Sequence, residues 1–198
     1  MWRTLSAQRG SPVTSFQVGK TEVSEETLRE LLAERDIRNQ IHNYSRAQDR
    51  HDTELFLSVC HPDCYIDYGP GGPQGSAADT IQRFNADHSG FAGHNHHVSN
   101  ITIKVKGRRA ISESSVNAVL RTHEDDHGVV YDWHYRGRYL DRWSQRDGRW
   151  ALDRRLLLSE LHWKQPVVDG RLYSHGGPTR DRADPLYAAL AELDEAAR

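Results

Sequence analysis

The stretch VVYDWHYRGRYLDRWSQRDGRWALDRRLLLSE, residues 129–160, decides the fold class. It predicts two long strands, over 129–144 and over 150–160, because aromatic and branched apolar residues recur along both. Asp147-Gly148 lies between them, and Asp-Gly favours a tight hairpin turn because both of its positions adopt positive φ there. The stretch therefore predicts one long antiparallel hairpin of a sheet.

Helices precede the strands along the chain. Ser24 is followed by Glu25 and Glu26, which indicates a helix start, because a hydroxyl caps the first turn and acids favour the positive end of the helix dipole. His61-Pro62-Asp63 is typical of a turn. The predicted helices cover 24–50, 52–59 and 76–86, and the further predicted strands cover 64–68, 96–105 and 110–122. Helices followed by hairpin-connected strands indicate an α+β fold, with one curved, mostly antiparallel sheet around the helices.

A single domain accounts for the periodic part of the chain. Residues 1–23 are polar and aperiodic, and we predict that they form a flexible N-terminal arm. Residues 24–163 form the domain. Residues 164–198 form a C-terminal extension rich in Pro, Gly and Arg, in which 185–197 could form a short helix.

The composition excludes several classes of protein. The formal net charge is −2, so we expect no general attraction to nucleic acid or to an anionic membrane surface. No apolar run approaches the roughly 20 residues that a membrane-spanning helix needs. Two cysteines are too few for a disulfide framework, and we predict a cytoplasmic location. Histidine is abundant, with 12 residues, and imidazole acts as acid, base or ligand near neutral pH.

Two segments supply candidate catalytic residues. Tyr44 and Asp49 lie near the end of the first predicted helix, at a spacing that lets both border one cavity. His94, His96 and His97 enter a predicted strand. Because side chains alternate across a strand, His94 and His96 share one face and His97 takes the other.

The residues alone leave three interpretations of these histidines open. His94 and His96 could supply two metal ligands, with a third from Asp49 or His134. They could instead be solvated side chains where a polar strand begins. The third interpretation is a buried general base oriented by a carboxylate.

Two features concern the walls of a cavity. Trp133, Tyr135 and Tyr139 share one face of their predicted strand, where they line a pocket or belong to the core. Arg155 lies in an apolar strand, where a charge is costly unless it is paired. It therefore meets a buried carboxylate or faces a cavity that binds an oxygen-bearing substrate.

Several short motifs occur in a definite order along the chain. They are Glu34-Arg35-Asp36-Ile37-Arg38, Asp49, His61-Pro62-Asp63, His96-His97-Val98-Ser99-Asn100-Ile101, Gly137-Arg138-Tyr139-Leu140-Asp141-Arg142 and Asp147-Gly148-Arg149-Trp150. This ordered set resembles SnoaL-like proteins of the nuclear-transport-factor-2-like superfamily over residues 28–163. The resemblance implies a cone-shaped α+β barrel.

The resemblance also implies a site. Dehydratases and dehydrochlorinases of that superfamily share an Asp on the first helix and a His on the sheet. Asp49 and His96 match these positions, and His97 would match if the strand carried a bulge. The expected catalytic residues are Asp49, His96, Tyr44 and Arg155, and the expected substrate-binding residues are Tyr68, His97, Trp133, Tyr135, Tyr139 and Ser159.

The resulting functional hypothesis is a lyase without cofactor or metal that eliminates water from a small hydrophobic, steroid-like or polycyclic hydroxylated substrate. A double-bond isomerase or a dehydrochlorinase would use the same Asp–His pair. A non-catalytic binding or β-subunit-like module is a third hypothesis. The resemblance also implies a homo-oligomer, with a trimer favoured over a dimer.

Overall fold

The computed structural model describes residues 15–18, 21–168 and 179–196. The helices are α1 (Glu25–Arg50), α2 (Thr53–Val59), α3 (Ala77–Ser89) and α4 (Pro185–Ala196). The strands are β1 (Ser15–Val18), β2 (Thr21–Ser24), β3 (Cys60–Asp67), β4 (Gln74–Ser76), β5 (Gly93–Lys106), β6 (Arg109–Arg121), β7 (Tyr131–Arg146) and β8 (Arg149–Pro166). None of these helices is long and apolar enough to cross a membrane.

The first three helices begin where the sequence places a capping side chain. Ser24, Asp52 and Ser76 each accept a hydrogen bond from the backbone N–H three residues later. This satisfies a donor that has no partner inside the helix. Helix α1 ends at His51, which adopts the left-handed conformation with φ 51°. The predicted start of α1 at Ser24 is confirmed.

Six strands form the main sheet in the order β4-β3-β8-β7-β6-β5. All neighbours are antiparallel except β3 and β8, which run parallel. The sheet curves around the N-terminal helices, which confirms the α+β class and the cone shape.

The predicted turn at His61-Pro62-Asp63 is wrong. These residues lie inside β3, where the pairing with β8 shifts between Cys60 and Tyr65. Strand β4 pairs with β3 only from Tyr65 onward, so Pro62 lies beside an edge of the sheet. Proline is tolerated at such an edge because no ladder hydrogen bond is lost there.

The core lies between the helices and the inner face of the sheet. Ile37, Ile41 and Tyr44 project from α1 and are completely buried. They join a cluster that includes Trp143 and Leu152 from the two longest strands. Burying these side chains fixes α1 across the sheet, which sets the position of the residues at the C-terminal end of the helix.

The N-terminal arm and the C-terminal extension make different contacts. Within the predicted N-terminal arm, β1 and β2 pair as a two-stranded antiparallel sheet, and the rest of the arm lies outside the described residues. In the C-terminal extension, Asp184 forms an ion pair with Arg50, with Nε and Oδ2 2.8 Å apart. Tyr187 donates a hydrogen bond of 2.6 Å to the carboxylate of Asp52. The extension therefore contacts the end of α1 and the start of α2.

Candidate active site

Asp49 and His96 form a hydrogen-bonded pair between α1 and β5. Asp49 Oδ1 lies 2.7 Å from His96 Nδ1, and Asp49 Oδ2 accepts the backbone N–H of His96 at 3.1 Å. The side chains of His96 and Asp49 are 7% and 14% exposed. A carboxylate on Nδ1 favours the tautomer that carries its proton there, which leaves the Nε2 lone pair free. We call this pair the dyad.

His96, and not His97, belongs to the dyad. The strand alternates regularly through this segment, and His97 is exposed on the opposite face. The irregularity in the pairing of β5 with β6 falls later, between Ser99 and Thr102, so it does not change which histidine points inward. The expected substrate-binding role of His97 is therefore not compatible with its position.

A cavity of about 630 Å³ opens beside His96. Its walls come from the inner face of the sheet, from α3 and from the loop 69–73. The side chains of Tyr68, Trp133, Tyr135, Tyr139, Leu157 and Ser159 are among those that line it. We call it the aromatic cavity. Five of the six expected substrate-binding residues thus lie on its wall, the exception being His97.

Three tyrosine hydroxyls form a chain beneath this cavity. Tyr44 Oη and Tyr68 Oη are 3.3 Å apart, and Tyr68 donates to Tyr139 Oη at 3.2 Å. Burial raises the pKa of each phenol well above its usual value. The phenols are therefore neutral near pH 7 and act as hydrogen-bond donors. Tyr68 and Tyr139 reach the cavity wall, whereas Tyr44 is completely buried behind them.

Arg155 supports the cavity wall from behind. Its Nε and Nη2 donate to the two carboxylate oxygens of Asp141 at 2.8 and 2.7 Å, and both side chains are fully buried. Its guanidinium lies 3.8 Å from the ring centroid of Tyr44 and 3.9 Å from that of Tyr139. Burial alone would lower the pKa of Arg155, but the charge and hydrogen bonds of Asp141, together with the neighbouring tyrosines, raise it, and the net shift is upward. Arg155 was expected to be catalytic from the sequence, but its side chain is fully buried and is not among those that line the cavity.

A second group of imidazoles lies close to the dyad. The rings of His88 and His94 have centroids 4.4 Å apart, and those of His51 and His94 are 5.3 Å apart. We call these three residues the histidine cluster. Burial lowers the pKa of His88 to about 3 and that of His94 to about 4. Burial also lowers the pKa of His51, with the Arg180 guanidinium acting in the same direction and the Asp49 carboxylate opposing it.

The sequence patterns did not predict the histidine cluster as a group. The predicted metal site combined His94 with His96 and with Asp49 or His134. His134 instead stacks on Trp163, with ring centroids 4.5 Å apart. The other members of the cluster come from the ends of α1 and α3, and no local spacing connects those ends to β5 before the fold is known.

The fold and the dyad together define a cone-shaped α+β protein with an inner cavity and a paired carboxylate and imidazole. Residues 29–156 match the SnoaL-like domain family, and the chain belongs to that family. This match confirms the resemblance found in the sequence motifs. No curated protein matches the sequence.

Solved structures with the same fold include proteins named for elimination chemistry. One, from Novosphingobium aromaticivorans DSM 12444 and provisionally named a scytalone dehydratase, is 25% identical with a TM-score of 0.61, over 74% of this chain and 99% of that chain. A type 2 hexachlorocyclohexane dehydrochlorinase is 12% identical with a TM-score of 0.62, over 75% and 98%. A type 3 dehydrochlorinase from Novosphingobium barchaimii LL02 is 12% identical with a TM-score of 0.61, over 74% and 98%.

Proposed function

We propose that the protein is a cofactor-independent lyase that eliminates water from a hydrophobic, hydroxylated substrate bound in the aromatic cavity. The observation that carries the proposal is the dyad, in which both oxygens of Asp49 hold His96 at the cavity wall. An imidazole held by a carboxylate in one tautomer is the arrangement that a general base requires.

The dyad performs the elimination in two proton transfers. His96 Nε2 removes a proton from a carbon next to an activating carbonyl or conjugated system. The electrons of the broken C–H bond form a C=C bond, and the C–O bond on the neighbouring carbon breaks. The imidazolium then returns its proton to the departing hydroxide, which leaves as water. Asp49 stabilises the imidazolium between the two transfers, as in other oriented histidine pairs.

The tyrosine chain supplies the electrostatic part of the mechanism. Tyr68 and Tyr139 present neutral phenols at the cavity wall, and Tyr44 holds Tyr68 from behind. The O–H of Tyr139, whose oxygen accepts the hydrogen bond from Tyr68, donates to the enolate oxygen that develops when the proton is removed, or to the leaving hydroxyl. Donors fixed in advance around a developing charge lower the barrier because no solvent has to reorganise.

The cavity favours a steroid-like or otherwise polycyclic substrate. Its volume of about 630 Å³ falls inside the range of roughly 300–1,000 Å³ typical of small-molecule sites. Trp133 and Tyr135 form an aromatic rim, about one third exposed, that can pack against flat rings. Two structural neighbours are named as dehydrochlorinases and one is provisionally named a scytalone dehydratase, which supports elimination as the reaction type.

The test is turnover of hydroxysteroid-type and polycyclic hydroxy-ketone substrates, followed by mass spectrometry of the product. We expect a product lighter than the substrate by one water. Asp49→Asn and His96→Gln should each lower kcat by about 100- to 10,000-fold, the usual contribution of general acid–base catalysis. His97→Gln is the matched control, because His97 is the exposed neighbour of His96 on the same strand.

The other possible outcomes of this test distinguish the alternative functions. Turnover that survives both dyad substitutions contradicts the proposed mechanism. A product of unchanged mass identifies an isomerase, and release of chloride from a chlorinated substrate identifies a dehydrochlorinase. Tight binding without turnover of any substrate would identify a non-catalytic binding module.

The proposal includes a homotrimer in the cytoplasm. Ile111, Leu140 and Leu161 are exposed apolar side chains of the sheet strands, which is consistent with a surface that another copy covers. Light scattering on the purified protein checks this part, and a monomeric or dimeric mass would contradict it. A trimer is not required for the dyad chemistry, because Asp49 and His96 come from the same chain.

A further inference from the structure

The histidine cluster lies where α1, α3 and β5 converge. His51 directly follows α1, His88 lies in the last turn of α3 and His94 is the second residue of β5. Each contributes one ring nitrogen to a set whose members all lie within 4.8 Å of one another. His88 is 7% exposed, and the other two rings are partly buried.

Each residue of the cluster carries a buried nitrogen without a hydrogen-bond partner. Among the described residues, nothing donates to or accepts from His51 Nε2, His88 Nδ1 or His94 Nδ1. Buried polar atoms in folded proteins are almost always paired, so each exception needs an explanation. Three such atoms in one place, all on imidazoles, have a common explanation in a shared ligand that accepts nitrogen lone pairs.

His94 is already oriented as a metal ligand. Its Nε2 lies 3.2 Å from the backbone carbonyl oxygen of Gln48. A carbonyl oxygen only accepts hydrogen bonds, so Nε2 carries the proton and Nδ1 presents its lone pair. Histidines that bind metals typically donate their second ring nitrogen to a backbone carbonyl or a carboxylate in this way. The contact with Gln48 therefore fixes the tautomer that coordination through Nδ1 requires.

The backbone at His51 is a second sign that this position is constrained. His51 has φ 51°, in the left-handed region that side chains other than glycine rarely adopt. Such conformations persist where the surrounding structure requires them, and they occur often at functional sites. Here the left-handed turn directs the chain out of α1 while its imidazole stays beside His94.

The fixed charges around the cluster allow a cation to bind. The Arg180 guanidinium is the positive group nearby, and the Asp49 carboxylate is the negative one. Arg180 donates to the backbone carbonyl oxygens of His88 and Phe91 at 2.9 and 2.6 Å, which offsets part of its charge. Arg180 and Asp49 thus act on the cluster with opposite signs, and the Asp49 carboxylate favours a bound cation.

We propose that His51, His88 and His94 bind one divalent transition-metal ion, with zinc as the expected ion. Imidazole nitrogens suit zinc, copper, nickel and iron, and three protein ligands with a fourth position open is a common arrangement for catalytic zinc. Zn–N bonds are about 2.0–2.1 Å long. The three ring nitrogens now lie up to 4.8 Å from one another, so each must move about 1 Å toward the ion. His51, at a helix end, is the ring best placed to move.

The metal would lie at the wall of the aromatic cavity. His88 lines that cavity together with His96, and the ring centroids of His88 and His96 are 5.9 Å apart. His96 is not assigned as a ligand, because the nitrogens that lie within 4.8 Å of one another belong to His51, His88 and His94. The ion's open position would accept a water molecule. Binding of the metal does not depend on the proposed lyase reaction.

The experiment is a zinc titration of the full-length protein, purified without a histidine tag and treated with a chelator. We expect one zinc per chain, by calorimetry and by competition with a chromophoric chelator. We expect weaker zinc binding in each of three variants, His51→Gln, His88→Gln and His94→Gln. The loss of affinity should exceed about 10- to 100-fold, which is the effect of removing a hydrogen-bond partner from a metal ligand. His97→Gln and His96→Gln are the controls, and both should keep zinc affinity within about 3-fold of the wild type.

A spectroscopic measurement identifies the ligands directly. Cobalt(II) should replace zinc and give the visible absorption of a four-coordinate site, and X-ray absorption of the zinc form should give a nitrogen-rich first shell with imidazole scattering.

Circular dichroism of each variant separates loss of a ligand from loss of fold, and His51→Gln remains informative if buried His88→Gln does not fold. Absence of stoichiometric zinc binding, or affinity that is unchanged in the three cluster variants, would overturn the proposal. Neither result depends on turnover.

Discussion

The buried ion pair between Arg155 and Asp141 gives a sharp prediction about stability. Both side chains are fully buried, and two hydrogen bonds of 2.8 and 2.7 Å join them. Asp141→Asn keeps the shape of the side chain but removes the charge that compensates the guanidinium. Removing one partner of a buried pair costs about 3–5 kcal/mol, because the other charge stays buried and uncompensated.

This loss should be easy to measure. For a chain of this size, 1 kcal/mol corresponds to a change in Tm of roughly 2–4 °C, so Asp141→Asn should lower Tm by about 6–20 °C. Urea denaturation followed by tryptophan fluorescence gives the free energy of unfolding directly. The double variant Asp141→Leu/Arg155→Met should recover most of the loss, because replacing both charges with apolar groups is often neutral.

An exposed ion pair provides the matched control. Glu25 and Arg29 are 39% and 74% exposed, with 2.7 Å between Oε2 and Nη2. Glu25→Gln should change the free energy of unfolding by no more than about 0.5 kcal/mol, as for other exposed helix pairs. If Asp141→Asn lowers the free energy of unfolding by less than about 1 kcal/mol, the buried Arg155 does not need the charge of Asp141 for stability, and the reasoning is refuted.

Three more perturbations follow from the structure. In chelator-treated protein, lowering the pH from 7 to 5 should reduce the free energy of unfolding by about 2 kcal/mol for His88, and by less for the more exposed His94, where solvent screens the effect. The reason is that their folded pKa values lie below the usual value, so the unfolded chain takes up protons first. Urea denaturation at several pH values checks this, and a stability that does not change with pH contradicts it. Gly137→Ala should cost about 1–3 kcal/mol, because its Cβ would lie 2.5 Å from a backbone carbonyl oxygen of β8; a wild-type melting temperature would count against this. Tyr187→Phe removes the 2.6 Å hydrogen bond to the carboxylate of Asp52 and should speed proteolysis of the C-terminal segment; an unchanged cleavage rate would argue that this bond does not hold the extension.

The sequence predicted those features that local chemistry determines. The helix starts at Ser24 and Ser76 and the turn at Asp147-Gly148 each depend on a few neighbouring residues, and all three are present in the structure. Strand alternation also predicted that His96 and His97 lie on opposite faces, and the family resemblance favoured His96 as the inward one. The predicted positions of helices and strands therefore agree with the structure to within a few residues over most of the domain.

The features that were missed depend on long-range packing. Nothing near Arg155 in the sequence distinguishes a guanidinium paired with Asp141 from one that faces a cavity, and the sequence analysis left both open. Pro62 favoured a turn, but it lies in β3 beside a strand too short to require a backbone N–H donor at this position, which proline lacks. The histidine cluster draws on positions 51, 88 and 94, which only the folded chain brings together.

The contact between the C-terminal extension and α1 has a consequence for how this protein can vary. Arg50, which follows Asp49 in the sequence, is held by Asp184, and Asp184 lies outside the region 29–156 that matches the family. A segment outside the matched region thus contacts the end of the helix that carries the carboxylate of the dyad. Substitutions in this segment can change the position of the Asp49 carboxylate without changing any residue of the aromatic cavity.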